Sequence, residues 1–345
     1  MKNKNENLVK KSFISTIIFV FIVIIVFYFI FKENNYKEIY HILNNSNKLY
    51  LLLALICMSF FSVFEALNIR TALRLFKYKI SFKQCYKYAL AGFFVAGITP
   101  SSTGGDPMQL YLMSKDDVNI SHGALVLLLK LLSFQITVVF LSIIGFIYSH
   151  NIFMESLGGL KYIIFIGAFL NILVGTLYFF IIFFKPVITS IVDLLAKLLL
   201  KLHLKKANSI IDKINKLVED YGKASVYIVK NKKILIRIFL TTLTQMILYY
   251  CIPYFVYLAL GFNDHSIFTF LSLQAVLFVS VSSLPFPGAV GVSEATFMRI
   301  YSTMFPKIIL GSAMVITRFI NFYIFIFYSG IAFLYFIIKG NHLKR

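Results

Sequence analysis

The sequence predicts an all-α polytopic membrane protein, with six full spans plus two Pro/Gly-broken hairpins, re-entrant or paired, in an inverted repeat. Three observations carry that prediction. The 345 residues are 59% hydrophobic and only 14% charged, with a mean hydropathy of +0.82, whereas a soluble domain is about a quarter charged. Apolar runs of spanning length recur along the chain. Two further apolar regions are interrupted by similar clusters, "ITPSSTGGDPMQ" at 98–109 and "LPFPGAVGVSEATF" at 284–297.

The uninterrupted runs are 12–31, 49–69, 121–148, 161–184, 234–260 and 308–338. Each is long enough to cross a hydrocarbon core of about 30 Å at 1.5 Å per residue. The first is too long for a signal-peptide core and no small-residue cleavage site follows it, so it reads as a retained helix. The broken regions are 88–113 and 267–305.

Lysine and arginine set the orientation. Segments 1–11, 70–87, 185–233 and 339–345 carry four, six, eleven and three of them; with Lys115, 25 of the 34 basic residues then lie inside. That is the positive-inside bias, and it puts both termini in the cytoplasm. Parity then requires region 88–113 to begin and end inside and region 267–305 to begin and end outside. The single membrane domain, 1–345, thus divides into repeat unit one, 49–148, and an inverted unit two, 234–338, joined through a cytoplasmic basic amphipathic segment, 185–233. In unit one Pro100 precedes Gly104 by four residues, Asp106 by six and Lys130 by thirty. In unit two Pro287 precedes Gly291 by four, Glu294 by seven and Arg318 by thirty-one. Inverted repeats with broken helices are a recurrent transporter plan.

Within 185–233, Ile191, Leu194, Leu195, Leu198, Leu199 and Leu202 follow helical spacing beside Lys197, Lys201 and Lys205. This reads as a helix on the inner leaflet, anchored by anionic lipids. A second amphipathic run follows at Ile210, Ile211, Ile214, Leu217, Val218 and Tyr221. The net charge of +20 is accounted for by membrane flanks, so no nucleic-acid partner is expected. Cys57, Cys85 and Cys251 are scattered and the six histidines dispersed, which implies neither a disulfide framework nor a metal site. No cofactor motif, serine elbow or supported Cys/His pair is present, so no catalytic residue is assigned.

Charges inside apolar segments cost about 2.5–3.5 kcal/mol each at mid-helix. Glu65 and Arg237 lie near predicted cytoplasmic ends, where snorkelling is cheap. Lys130 and Arg318 lie deeper and call for partners, and Asp106 and Glu294 are the candidates. The broken segments expose backbone groups that only protein or a wet cavity can satisfy. Ser101, Ser102 and Thr103 offer hydroxyls there, and Gly104 and Gly105 offer amides. Together with Asp106, Lys130, Pro287, Gly288, Gly291, Glu294 and Arg318 they form the expected substrate site, a cradle for a phosphate or an ammonium. Ordinary hairpin turns capped by Asp106 and Glu294 are the alternative.

"TPSSTGGDPMQLYLM" (99–113) and "PFPGAVGVSEATF" (285–297) resemble the two signature hairpins of the lysylphosphatidylglycerol synthase transmembrane family, also called flippase-like membrane proteins. The likeness covers roughly 12–338. Family members usually carry Gly-Gly where this chain has Gly288-Ala289. Bifunctional members add a cytosolic domain that transfers lysine to phosphatidylglycerol, and this chain ends at Arg345. The resemblance therefore implies the translocating half. It would be a multi-pass protein of the bacterial inner membrane that moves a modified phospholipid, an aminoacylated one such as lysylphosphatidylglycerol, between leaflets. Partners would be that phospholipid, anionic inner-leaflet lipids, a separate lipid-modifying enzyme and, in a homodimer, a second copy. A lipid-modifying transferase or its membrane subunit, and a small-solute transporter, stand as alternatives.

Overall fold

The computed structural model describes residues 36–99, 102–156, 161–184, 186–190, 192, 207–284, 289 and 291–342. These fold as helices: α1 (Tyr36–Asn45), α2 (Lys48–Leu75), α3 (Phe82–Ile98), α4 (Gly105–Lys115), α5 (Ile120–Tyr148), α6 (His150–Ser156), α7 (Lys161–Phe183), α8 (Ala207–Lys230), α9 (Lys232–Tyr250), α10 (Ile252–Ala259), α11 (Ile267–Val281), α12 (Val292–Ile300), α13 (Lys307–Arg318) and α14 (Ile324–His342). Five stretches are long and apolar enough to cross a membrane: 48–75, 120–148, 162–183, 232–259 and 307–336. They coincide with five of the six predicted spans. The sixth, 12–31, lies outside the described residues, as do 191 and 193–206 and with them the whole of the first amphipathic run.

Local chemistry sets the helix starts. Asn47 caps α2 by accepting from the Leu49 amide at 3.0 Å. Ser81 and Gln84 form a reciprocal capping box at α3, which satisfies amides that a helix start would otherwise leave bare. Ser266 caps α11 through the Thr269 amide. The fourth span bends between α9 and α10, where Pro253 lacks the N–H that would continue the ladder. The fifth changes pitch at a π-helical turn, Phe319–Tyr323, between α13 and α14.

Helices distant in the chain pack together. The leading helices α2 and α9 lie against each other. The hairpin helix α3 packs on α14 from the far end of the chain, and the other hairpin helix, α11, packs on α5. Outer faces stay apolar, as a lipid-facing surface requires: Phe165 and Phe169 on α7 and Ile143 and Ile147 on α5 are exposed.

Helix α8 holds the second amphipathic run. Its Tyr221, Ala224 and Ile228 pack with Leu125 and Leu129 of α5 and Ile182 of α7, and Ser121 Oγ donates to Leu217 O at 2.9 Å. This part of the apolar stripe covers protein rather than the inner leaflet.

Small residues let α11 sit close to its neighbours, as in other membrane bundles. A Cβ at Gly167 of α7 would fall 2.4 Å from Ser280 O. Asn171, one turn on, donates to Val279 O at 2.9 Å and accepts from Ser282 Oγ at 3.2 Å. Gly311 of α13 has nothing within 4 Å of its Cβ position. Gly167→Ala is therefore expected to lower the unfolding temperature in detergent. Gly311→Ala should leave it unchanged or raise it, by up to about 1 kcal/mol of helix propensity. Thermal unfolding of the two variants checks this, and equal effects would contradict the close α7–α11 contact.

Candidate functional site: two ion-paired helix breaks on adjoining cavities

α3 ends at Ile98 and α4 begins at Gly105, and α11 ends at Val281 and α12 begins at Val292, so each broken region has a helix break between its two helices. Each break carries a non-glycine residue in the left-handed region, Ser102 with φ +55° and Ala289 with φ +53°, and the second also has Gly291 at φ +85°. An L side chain costs about 1–2 kcal/mol in that region, so both turns are held by what surrounds them.

At the first break Lys130 is buried on α5, and its ammonium uses all three donors. It meets Asp106 Oδ1 at 2.8 Å, Glu65 Oε1 at 2.8 Å and Gln109 Oε1 at 2.9 Å. Around this lies a wider net. Gln245 Nε2 donates to Glu65 Oε2 at 3.3 Å. Asn68 Nδ2 donates to Thr242 Oγ1 at 3.0 Å, and Ser133 Oγ donates to the same oxygen at 2.9 Å. Four helices each supply two of these residues, three apart: Glu65 and Asn68, Asp106 and Gln109, Lys130 and Ser133, Thr242 and Gln245. Residues at that spacing share a helix face, so four helices turn polar faces to one point.

At the second break Glu294 has two tasks. Its Oε2 accepts from the Gly291 amide at 2.6 Å, capping α12, and its Oε1 accepts from Arg318 Nε at 2.7 Å. The Arg318 guanidinium lies over the Phe322 ring at 4.7 Å, an arrangement that favours a desolvated cation. Asp106–Lys130 and Glu294–Arg318 are both separated by 24 residues.

Each ion pair borders a cavity. The first, about 180 Å³, is lined by Glu65, Asp106, Gln109, Lys130, Thr242 and Gln245 among others. The second, about 280 Å³, is lined by Gln274, Ser282, Ser293, Thr317, Arg318 and Asn321 among others. Phe61, Phe93, Ala96, Ser102 and Phe134 line both, so the two spaces adjoin. Their charges differ. The first has two carboxylates against one ammonium, while at the second Arg318 is matched by Glu294. Among the described residues no three His, Cys, Asp or Glu side chains are grouped to hold a metal ion.

The sequence model of the lysylphosphatidylglycerol synthase TM region matches residues 14–329. The chain belongs to this family. It is similar also to a UPF0104 membrane protein of Archaeoglobus fulgidus, 26% identical over 324 residues that cover 92% of this chain and 95% of the relative. Ala289 takes up a left-handed conformation in which glycine carries no steric penalty.

The expected site residues fall as follows. Asp106 and Lys130 meet, and Glu294 and Arg318 meet. Ser102 lines both cavities, Gly105 lines the first, and Thr103 is exposed. Gly104 has right-handed geometry, with φ −81°, and Thr99 and Val95 side chains against it. The position where backbone approaches closely is Gly105, whose Cβ would lie 2.8 Å from Gly92 O. Ser101, Pro287 and Gly288 lie outside the described residues. Glu65 does not snorkel. It faces Lys130, because α2 continues to Leu75 and carries position 65 well inside the bundle.

Removing Lys130 would leave two carboxylates in low dielectric, whereas Glu65→Gln leaves a one-to-one pair with Asp106. Lys130→Ala is expected to cost about 3–5 kcal/mol of stability, and Glu65→Gln clearly less. Denaturation of both variants in the same detergent compares them. A Glu65→Gln loss as large as that of Lys130→Ala would contradict the charge count.

Proposed function

We propose that this protein is a lipid translocase that passes a phospholipid headgroup through the two adjoining cavities, with 49–148 and 234–338 acting as inverted repeat units. The observation that carries the reading is the pair of ion-paired helix breaks on spaces that share five lining residues. A break at membrane depth is tolerated where it serves a polar cavity. A polar group entering from either leaflet would meet one break and then the other. The exchanged packing, α3 on α14 and α11 on α5, supports the two-unit reading, because it gives the halves equivalent roles about a shared centre.

The excess carboxylate at the first cavity favours a headgroup that carries a cation. An aminoacylated phospholipid such as lysylphosphatidylglycerol, the lipid in the family's name, has one. Glu65 and Asp106 would then share their charge between Lys130 and the incoming ammonium. Charge-assisted hydrogen bonds of that kind are among the stronger ones available. Acyl chains would remain in the bilayer beside the apolar outer faces.

The test uses the purified full chain in phosphatidylcholine vesicles containing lysylphosphatidylglycerol with a fluorescent tail, and follows exposure of its amine to an impermeant amine-reactive reagent. Native protein is expected to expose inner-leaflet lipid well above the protein-free rate. Glu294→Ala and Gly291→Val, shown folded by size-exclusion chromatography, should fall to that background. Full transport by both folded variants would sink the reading.

A further inference from the structure

The larger cavity contains a feature that ion pairing does not use. Thr317 Oγ1 and Asn321 Oδ1 both belong to residues that line it. These residues are 1% and 4% exposed, and neither atom has a hydrogen-bond partner among the described residues. Buried polar atoms are nearly always partnered, and a helix gives threonine an easy partner in the carbonyl four residues back. Thr242 and Thr296 take it, donating to Ile238 O at 2.9 Å and Val292 O at 2.7 Å. Thr317 does not. Asn321 sits in the π-helical turn Phe319–Tyr323, directly after Arg318, and such turns recur at functional sites.

The chemistry of the two atoms defines what they fit. An amide oxygen accepts only, so its partner must donate. A threonine hydroxyl both donates and accepts. A phosphate oxygen lacks the donor that Asn321 Oδ1 requires, and an ammonium, though it could donate to both atoms, would leave the Thr317 hydroxyl proton without an acceptor. A hydroxyl does both, and two neighbouring hydroxyls satisfy both atoms at once. The charge agrees, since Arg318 is already matched by Glu294 at 2.7 Å and the cavity has no excess sign. Its walls include Phe61, Phe278 and Phe297, flat apolar faces of the kind that pack against the C–H side of a polyol.

The geometry points to a polyol subsite here: Thr317 and Asn321 bind the neutral hydroxyl-bearing part of a headgroup, a glycerol or a sugar. This rests on the translocase reading and refines it. The first cavity takes the cation and the second takes the hydroxyls.

Equilibrium binding to the purified full chain tests the subsite apart from transport. Three probes are used: short-chain phosphatidylglycerol, an alkyl glucoside, and short-chain phosphatidylethanolamine, whose headgroup has no hydroxyl. Affinity is read from the concentration-dependent rise in unfolding temperature. At least one hydroxylated probe is expected to bind about tenfold more tightly than the ethanolamine lipid, and the tighter of the two identifies glycerol or sugar as the source. Thr317→Val with Asn321→Leu should erase that preference without weakening the ethanolamine lipid, and Thr317→Ser should keep it. Equal affinity of all three probes for the native chain would overturn the subsite, and that comparison needs no variant to fold. So would an unchanged preference in a double variant that is more stable than the native chain, because the two atoms would then serve only water. Vesicle transport without headgroup preference would leave the translocase standing and remove the polyol subsite. Preference without transport would do the reverse.

Discussion

Lys130 is the constraint on which the rest of the site depends. An ammonium buried among apolar helices is admissible only if its three donors find acceptors and its charge finds an opposite. Asp106, Glu65 and Gln109 supply both at 2.8, 2.8 and 2.9 Å. To do so, α4 must begin beside α5, and therefore the backbone must break at 99–104. α2 must run deep enough to bring position 65 alongside. The second break obeys the same rule in smaller form, with Glu294 capping α12 and pairing Arg318 through its two oxygens.

These contacts join helices that the chain keeps far apart. Glu65 and Gln245 are 180 residues apart and touch across the α2–α9 seam, and Ser133 and Thr242 bridge α5 to α9. The packing of the two broken regions carries the same long-range character. α3 packs on α14, and α11 packs on α5, the helix that carries Lys130. A displacement at either break would therefore press on packed helices of distant chain segments rather than on loops. That is the kind of coupling expected if a headgroup is to leave one cavity as it enters the next.

Much of this was legible in the chain itself. Charge in apolar sequence is expensive enough to mark Asp106 and Glu294 as candidate partners of Lys130 and Arg318, and five of the six predicted spans stand where the structure has membrane-length helices. Glu65 was misjudged because depth was counted from where the apolar run ends at 69, while the helix continues to Leu75. Gln109, Gln245 and Asn68 escaped notice because a neutral amide costs less than a charge and leaves a weaker mark. The available signal was their repeated spacing of three from another polar residue on four separate helices. The left-handed angles at the two breaks fall on Ser102, Ala289 and Gly291; only Gly291 is of a residue type that favours them, so at the other two tertiary contacts rather than local preference set the turn.

The central claim is that a lipid headgroup occupies the space between the two breaks. Photo-crosslinking tests it directly. A phospholipid bearing a diazirine at the end of its headgroup is incorporated into vesicles with the full chain and irradiated, and the modified peptides are mapped by mass spectrometry. Adducts are expected on residues that line both cavities, Ser102 and Phe134 foremost. Adducts confined to outward-facing positions such as Phe165 and Phe169 would contradict it.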